Sequence, residues 1–121
     1  MTVVMLLVLL AIVSASKYDT SPKRLKRAQA DGGKFFVRYY APWCGYCQEM
    51  SHDFKKLAKE LQSSSVTVCQ IDCERYPDYC EKAGVDGFPT MKMYNGNDLL
   101  SDYNGERKYE SMKAFLNDYL Q

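Results

Sequence analysis

The chain has 121 residues, with 16 lysines and arginines against 15 acidic residues and a formal net charge of +1. That length holds one domain rather than two, and about a hundred folded residues bury roughly two-thirds of their extended surface, enough for an independent core. A charge so close to zero gives no ground for a nucleic acid or an acidic surface as partner.

Val3 to Val13 is apolar without a break. The run is too short for a bilayer, which takes about 20 residues, and fits the hydrophobic stretch of a secretory signal peptide. Val13-Ser14-Ala15 offers small residues for cleavage, so a signal peptide is expected over 1–15 and a mature domain over 16–121. Met1 and Thr2 carry no side-chain charge, which leaves an uncleaved anchor as the alternative. A secretory signal would place the cysteines in an oxidising compartment, where disulfides persist.

Ser21 can cap a helix whose first residue is Pro22, and Gly32-Gly33 can end it. Lys23, Arg24, Lys26 and Arg27 make this helix basic; a solvated face is the expectation and a binding patch the alternative. Lys34 to Tyr40 is a short apolar stretch interrupted by Arg38, as expected of a central strand buried on both faces. It leads into Tyr40-Ala41-Pro42-Trp43-Cys44-Gly45-Tyr46-Cys47. A strand entering a tight turn that opens a helix puts Cys44 at the first turn, where free backbone N–H groups and the helix dipole favour a thiolate. Two residues between the cysteines also allow a small disulfide. A lone pair of this spacing can be half a zinc site or simply buried thiols; the strand before it and the helix after it favour redox chemistry.

Cys47 to Leu61 reads as one amphipathic helix, with Met50, Phe54, Leu57, Ala58 and Leu61 at spacings of three and four. His52, the only histidine, is read as a surface residue rather than a base. Ser63-Ser64-Ser65 is a loop, and Val66 to Asp72 the next strand, with Cys69 read as a buried, inert thiol. Cys73 and Cys80 bracket a short loop and the start of a helix that Gly84 ends. Gly87-Phe88-Pro89-Thr90 opens a strand to Tyr94, and Asn95-Gly96 signals a hairpin to a strand over Leu99–Tyr103. Glu110 to Leu120 is the closing helix. This order implies a mixed central sheet with helices on both faces.

Trp43-Cys44-Gly45-Tyr46-Cys47, Val85-Asp86-Gly87-Phe88-Pro89-Thr90 and Tyr103-Asn104-Gly105-Glu106-Arg107 together resemble a catalytic domain of the protein disulfide isomerase family, from about Phe35 to Leu120. The resemblance implies a thioredoxin fold of the α/β class, with a cis-proline, Pro89, facing the cysteine pair. It implies Cys44 as the exposed attacking thiolate and Cys47 as the resolving one, with Arg107 swinging toward Cys47 to lower its pKa. Trp43, Tyr46, Phe88, Pro89 and Thr90 would hold substrate, the last two through backbone left free to pair with an extended chain. Cys73 and Cys80 match the spacing of a second, structural disulfide in some members, against the alternative of two free thiols. A zinc site joining the two cysteine pairs is set aside, because the fold holds them apart.

This sequence departs from the family pattern at several points. Only Ser16 to Asp19 remain for the family's first strand, which should be short or missing. Arg38 stands where the family has a buried acidic residue beneath the second cysteine, and Gln70 where it has a lysine. Burying an unpaired guanidinium would cost several kcal/mol, so Arg38 should find a carboxylate or backbone carbonyls, or reach a sheet end. His52 replaces a kinking proline, which should straighten the helix. Tyr46 replaces a histidine, which implies a less acidic Cys44 and a less oxidising pair.

The expected function is a thiol–disulfide oxidoreductase that forms or isomerises disulfides in secretory-pathway client proteins, in the endoplasmic reticulum lumen or secreted. A dedicated reductase is the alternative within enzymes, and a redox-inactive holdase the alternative of another class. No cofactor and no metal are expected. The expected partners are unfolded or misoxidised proteins and a thiol redox partner such as glutathione or an oxidase, with no nucleic acid and a monomeric state. The chain ends in Leu120-Gln121 without a retrieval signal of the Lys-Asp-Glu-Leu kind.

Overall fold

The computed structural model describes residues 18–120. The expected signal peptide at 1–15 lies outside the described residues. Among the described residues four helices and four strands follow in the order α1 (Pro22–Ala30), β1 (Lys34–Tyr40), α2 (Gly45–Glu60), β2 (Val66–Asp72), α3 (Pro77–Lys82), β3 (Thr90–Asn95), β4 (Asp98–Tyr103) and α4 (Tyr109–Asn117). The strands form one mixed sheet in the order β2-β1-β3-β4, with β1 and β2 parallel and the other neighbours antiparallel. This is the thioredoxin fold.

The side-chain alternation of β1 divides the core in two. Phe35, Val37 and Tyr39 join Leu25, Cys69, Ile71 and Tyr94 on the side of α1 and α3. Phe36 joins Met50, Phe54, Leu57, Met93, Met112 and Leu116 on the side of α2 and α4. Both faces of β1 are therefore dry, which is why its sequence is nearly all apolar.

Local signals set most boundaries. The Ser21 hydroxyl accepts the Arg24 amide at 3.2 Å and Pro22 opens α1. Gly32 and Gly33 take φ of 91° and 103° after it, a conformation that other residues seldom adopt. The hairpin turns at Gly96-Asn97, so β3 and β4 each run one residue further than expected. The closing helix stops at Asn117, short of Leu120, and the chain continues in i→i+3 hydrogen bonds that keep Tyr119 and Leu120 on the core. Where the family's first strand was expected, the described residues form a parallel bridge between Asp19 and Gln70, flanked by Thr20 N–H to Gln70 O and Gln70 N–H to Tyr18 O. With His52 in place of proline, α2 runs unbroken and His52 is exposed.

Candidate active site

β1 ends at Tyr40, and the turn Ala41-Pro42-Trp43 closes with the Cys44 amide donating to Ala41 O at 3.1 Å. Gln48 Nε2 braces this turn on Pro42 O at 2.9 Å. Cys44 is then the N-cap of α2, not a residue inside it: its Sγ accepts the Cys47 amide at 3.3 Å. A helix expected to begin at Cys47 begins at Gly45, because the sulfur does the work that a serine or aspartate oxygen does at other helix starts. Across the turn Phe88-Pro89 is a cis peptide, and the Cys44 thiol donates to Phe88 O at 3.6 Å.

Both cysteines are buried. Cys44 keeps 7% of its surface exposed and Cys47 2%, so Cys44, expected to be exposed, is the more open of two buried thiols. The exposed atoms around them are aromatic: Trp43 is 66% exposed, Tyr46 64%, and Trp43 meets Phe88 edge to face. Pro89 is buried, and Thr90 fastens the turn by donating to Gly87 O at 2.7 Å. A groove of about 340 Å³ runs beside Pro89 and Thr90 to Arg107.

The two thiols are driven apart electrostatically. For Cys44, burial works against ionisation, but hydrogen bonds from the Cys47 thiol and from the amides of Cys47 and Tyr46, with the Arg107 charge, outweigh it and pull the pKa down. For Cys47, burial and the hydrogen bond with Cys44 push the thiol up to about 11, against a smaller pull from the Arg38 charge. Arg107 was expected to swing toward Cys47. Here its guanidinium lies 5.5 Å from the centre of the Tyr46 ring, and its field acts on Cys44. The cation that Tyr46 itself lacks thus stands on the face of its ring.

Arg38 is 2% exposed and lies under the first turn of α2. Its Nε and Nη2 donate to Gln70 Oε1 at 3.1 and 2.5 Å, and its Nη1 to Cys47 O at 3.0 Å and Ser51 Oγ at 3.4 Å. The rings of Tyr40 and Phe54 lie within 5.0 and 4.8 Å of the guanidinium. It reaches neither a sheet end nor a carboxylate directly. The carboxylate comes one step later: Gln70 Nε2 donates to Asp19 Oδ1 at 3.1 Å and Tyr40 Oη to the same oxygen at 2.5 Å. Strand register already pairs Arg38 with Gln70. Asp19 was invisible to sequence reasoning, since 51 residues separate it from Gln70. The capping role of Cys44 did leave a signal, a polar atom three residues before the amide it accepts.

Cys73 and Cys80 are bridged, with Sγ atoms 2.13 Å and Cα atoms 5.7 Å apart, on the α1 and α3 side of the sheet. Cys69, buried nearby, is pushed up to about 12 by burial alone. Among the described residues no cluster of three or more potential metal ligands occurs.

A strand–turn–helix carrying paired thiols of opposite electrostatic bias, opposite a cis-proline on a mixed four-stranded sheet, defines a thioredoxin-like dithiol domain. Residues 17–118 match the thioredoxin family model, and the chain belongs to that family. Its sequence is similar to "Protein disulfide-isomerase" of Arthroderma benhamiae, 32% identical over 86% of this chain and 21% of the relative. It is similar to "Protein disulfide-isomerase 1" of Dictyostelium discoideum, 32% identical over 89% and 29%. It is also similar to "Protein disulfide-isomerase tigA" of Aspergillus niger, 34% identical over 91% and 32%. The chain thus spans about a fifth to a third of the length of these curated relatives. Among solved structures, the J-Trx1 fragment of ERdj5 superposes with a TM-score of 0.78 at 22% identity, over 87% of this chain and 53% of that one. The Trx4 domain of ERdj5 gives 0.72 at 28%, over 84% and 92%.

Proposed function

We propose that this domain is a thiol–disulfide oxidoreductase that forms or isomerises disulfides in client proteins of the secretory pathway. The observation that carries the reading is the asymmetry of the pair: Cys44 caps a helix and is biased toward thiolate, while Cys47 behind it is biased toward thiol. An attacking sulfur must be ionised and a resolving one held in reserve, so Cys44 opens the client disulfide and Cys47 releases the client. The chain's isomerase relatives support the same reading. The client lies along the groove beside Pro89 and Thr90, with Trp43, Tyr46 and Phe88 holding its apolar side chains. Arg107 steadies the Cys44 thiolate from the face of Tyr46.

The apolar run Val3–Val13 and the Cys73–Cys80 bridge favour an oxidising compartment of the secretory pathway, where clients and glutathione or an oxidase are the partners. The deciding experiment is refolding of a scrambled disulfide protein with and without Cys44→Ser. Loss of activity in the variant supports the oxidoreductase; retained activity means that a holdase surface was at work. The uncharged Tyr46 favours a reductase as the second reading, and the equilibrium of the Cys44–Cys47 pair with glutathione separates the two directions.

A further inference from the structure

The proposed resolving step requires Cys47 to lose a proton, and among the described residues no carboxylate or imidazole is hydrogen-bonded to it. β1 contributes Arg38 and Tyr40, the turn contributes Cys44, and α2 lays Ser51 and Phe54 over the guanidinium. β2 supplies Gln70, β3 sets Met91 beside Arg38, and the segment before α1 supplies Asp19. The single carboxylate of this set, Asp19, already accepts hydrogen bonds from Tyr40 and Gln70, and Gln70 stands between it and Arg38. A guanidinium cannot accept a proton.

We infer that Arg38 is a positioning residue of the resolving step: a buried, permanent cation whose field steadies the Cys47 thiolate in the absence of a proton-accepting neighbour. The inference rests on the reading of Cys44 and Cys47 as attacking and resolving thiols. Its structural basis is the fixed placement of the charge. Four hydrogen bonds and two aromatic faces hold the guanidinium, and one of those bonds ends on the carbonyl of Cys47 itself. The Ser51 hydroxyl donates to the same carbonyl at 2.8 Å, so the first turn of α2 is pinned over the charge. Gln70 acts as a spacer, with its oxygen on Arg38 and its nitrogen on Asp19. The counter-charge is thereby kept one amide away from the cation, so it is attenuated rather than cancelled. In the step itself, the Cys47 thiol gives its proton to solvent and its sulfur attacks Cys44 Sγ of the mixed disulfide. The Cys44–client bond breaks, and the client sulfur leaves with the electron pair and takes a proton from solvent. The cysteine pair ends oxidised and the client sulfur reduced.

The test uses the reduced protein and 5,5′-dithiobis(2-nitrobenzoic acid), whose coloured thiolate is released twice. The first release reports attack by Cys44 and the second reports displacement by Cys47. In Arg38→Gln the pH midpoint of the second release should rise by about one unit, slowing it about tenfold below the midpoint, while the first keeps its profile. Arg38→Lys should restore most of the shift. Asp19→Asn preserves both hydrogen bonds to Oδ1 but removes the counter-charge, so it should move the midpoint the other way, downward. A purely structural arginine would lower the melting temperature and leave the second midpoint in place, and that result overturns the proposal. Should Arg38→Gln fail to fold, the direction of the Asp19→Asn shift decides alone, with no shift or an upward one counting against it. Absence of the first release in the wild-type protein would instead sink the assignment of Cys44.

Discussion

At the level of single residues, the helix start makes two chemically identical side chains unequal. Cys44 receives amide hydrogen bonds and Cys47 receives burial. Iodoacetamide at neutral pH should therefore modify Cys44 first in the reduced protein, and peptide mapping that found Cys47 labelled ahead of it would reverse the roles. The profile should separate further in acid, because the Cys44 thiolate persists below the range of a free thiol while Cys47 titrates near 11. Another residue-scale constraint is steric. A Cβ on Gly105 would stand 2.5 Å from Tyr103 Oη and 2.7 Å from Cζ. The Tyr103 hydroxyl is held on Glu106 O and its ring packs between Phe36 and Phe115, so it has little room to move. Gly105→Ala should cost about 1–3 kcal/mol, read from the urea midpoint, as overpacking does elsewhere.

At the level of elements, α4 shows where local sequence runs out. Lys108, its N-cap, makes no side-chain capping bond, and the Tyr109 amide is instead accepted by Asp53 Oδ2 at 2.9 Å from the middle of α2. Asp53→Ala should cost about 1 kcal/mol and fray the first turn of α4, visible as faster amide exchange there. An unchanged exchange rate would mean that water caps the turn equally well. The bridge that ties α3 to the end of β2 is a second test: Cys73→Ser with Cys80→Ser should lower stability by roughly 2–3 kcal/mol in the chain-entropy model, with the Cys44–Cys47 chemistry intact. These cases mark what the sequence could and could not reveal. Ser21-Pro22, the run Val66–Asp72 and the Asn95-Gly96 hairpin speak within a few residues, and the elements sit where those signals fall, within a residue or so. Arg38 beside Gln70 was expected from the family resemblance, and the register of β1 on β2 pairs them. Asp53 capping a helix 56 residues away, and Asp19 closing the network of Arg38, depend on contacts that only the assembled fold creates. The same holds for Arg107 on Tyr46, two exposed side chains with no periodic pattern to pair them.

At the level of the whole molecule, the core is rich in acids that burial keeps neutral. Tyr39, Tyr79 and Tyr94 are all pushed up by burial, with Tyr39 and Tyr94 sharing a 2.7 Å hydrogen bond, and Cys69 and Cys47 are raised to about 12 and 11. Groups raised in the folded state favour unfolding once the unfolded chain can ionise them, from about pH 8.5 for thiols and about 10 for tyrosines. The Cys44 contribution has the opposite sign, one group against these five. The urea midpoint of the reduced protein should stay level from pH 6 to about 8 and fall steadily between about 9 and 11; a level midpoint at pH 10.5 would show that these groups ionise without unfolding. Cys69→Ala should remove part of the early decline. The three residues Tyr18–Thr20 reach further than their length suggests. They cover the outer edge of β2 with a pair of main-chain hydrogen bonds, and open edge amides are what recruits strands from other molecules. A protease that cut just after Thr20 would free that edge for self-association and, in the same stroke, carry away Asp19 from the hydrogen-bond network that ends on Arg38.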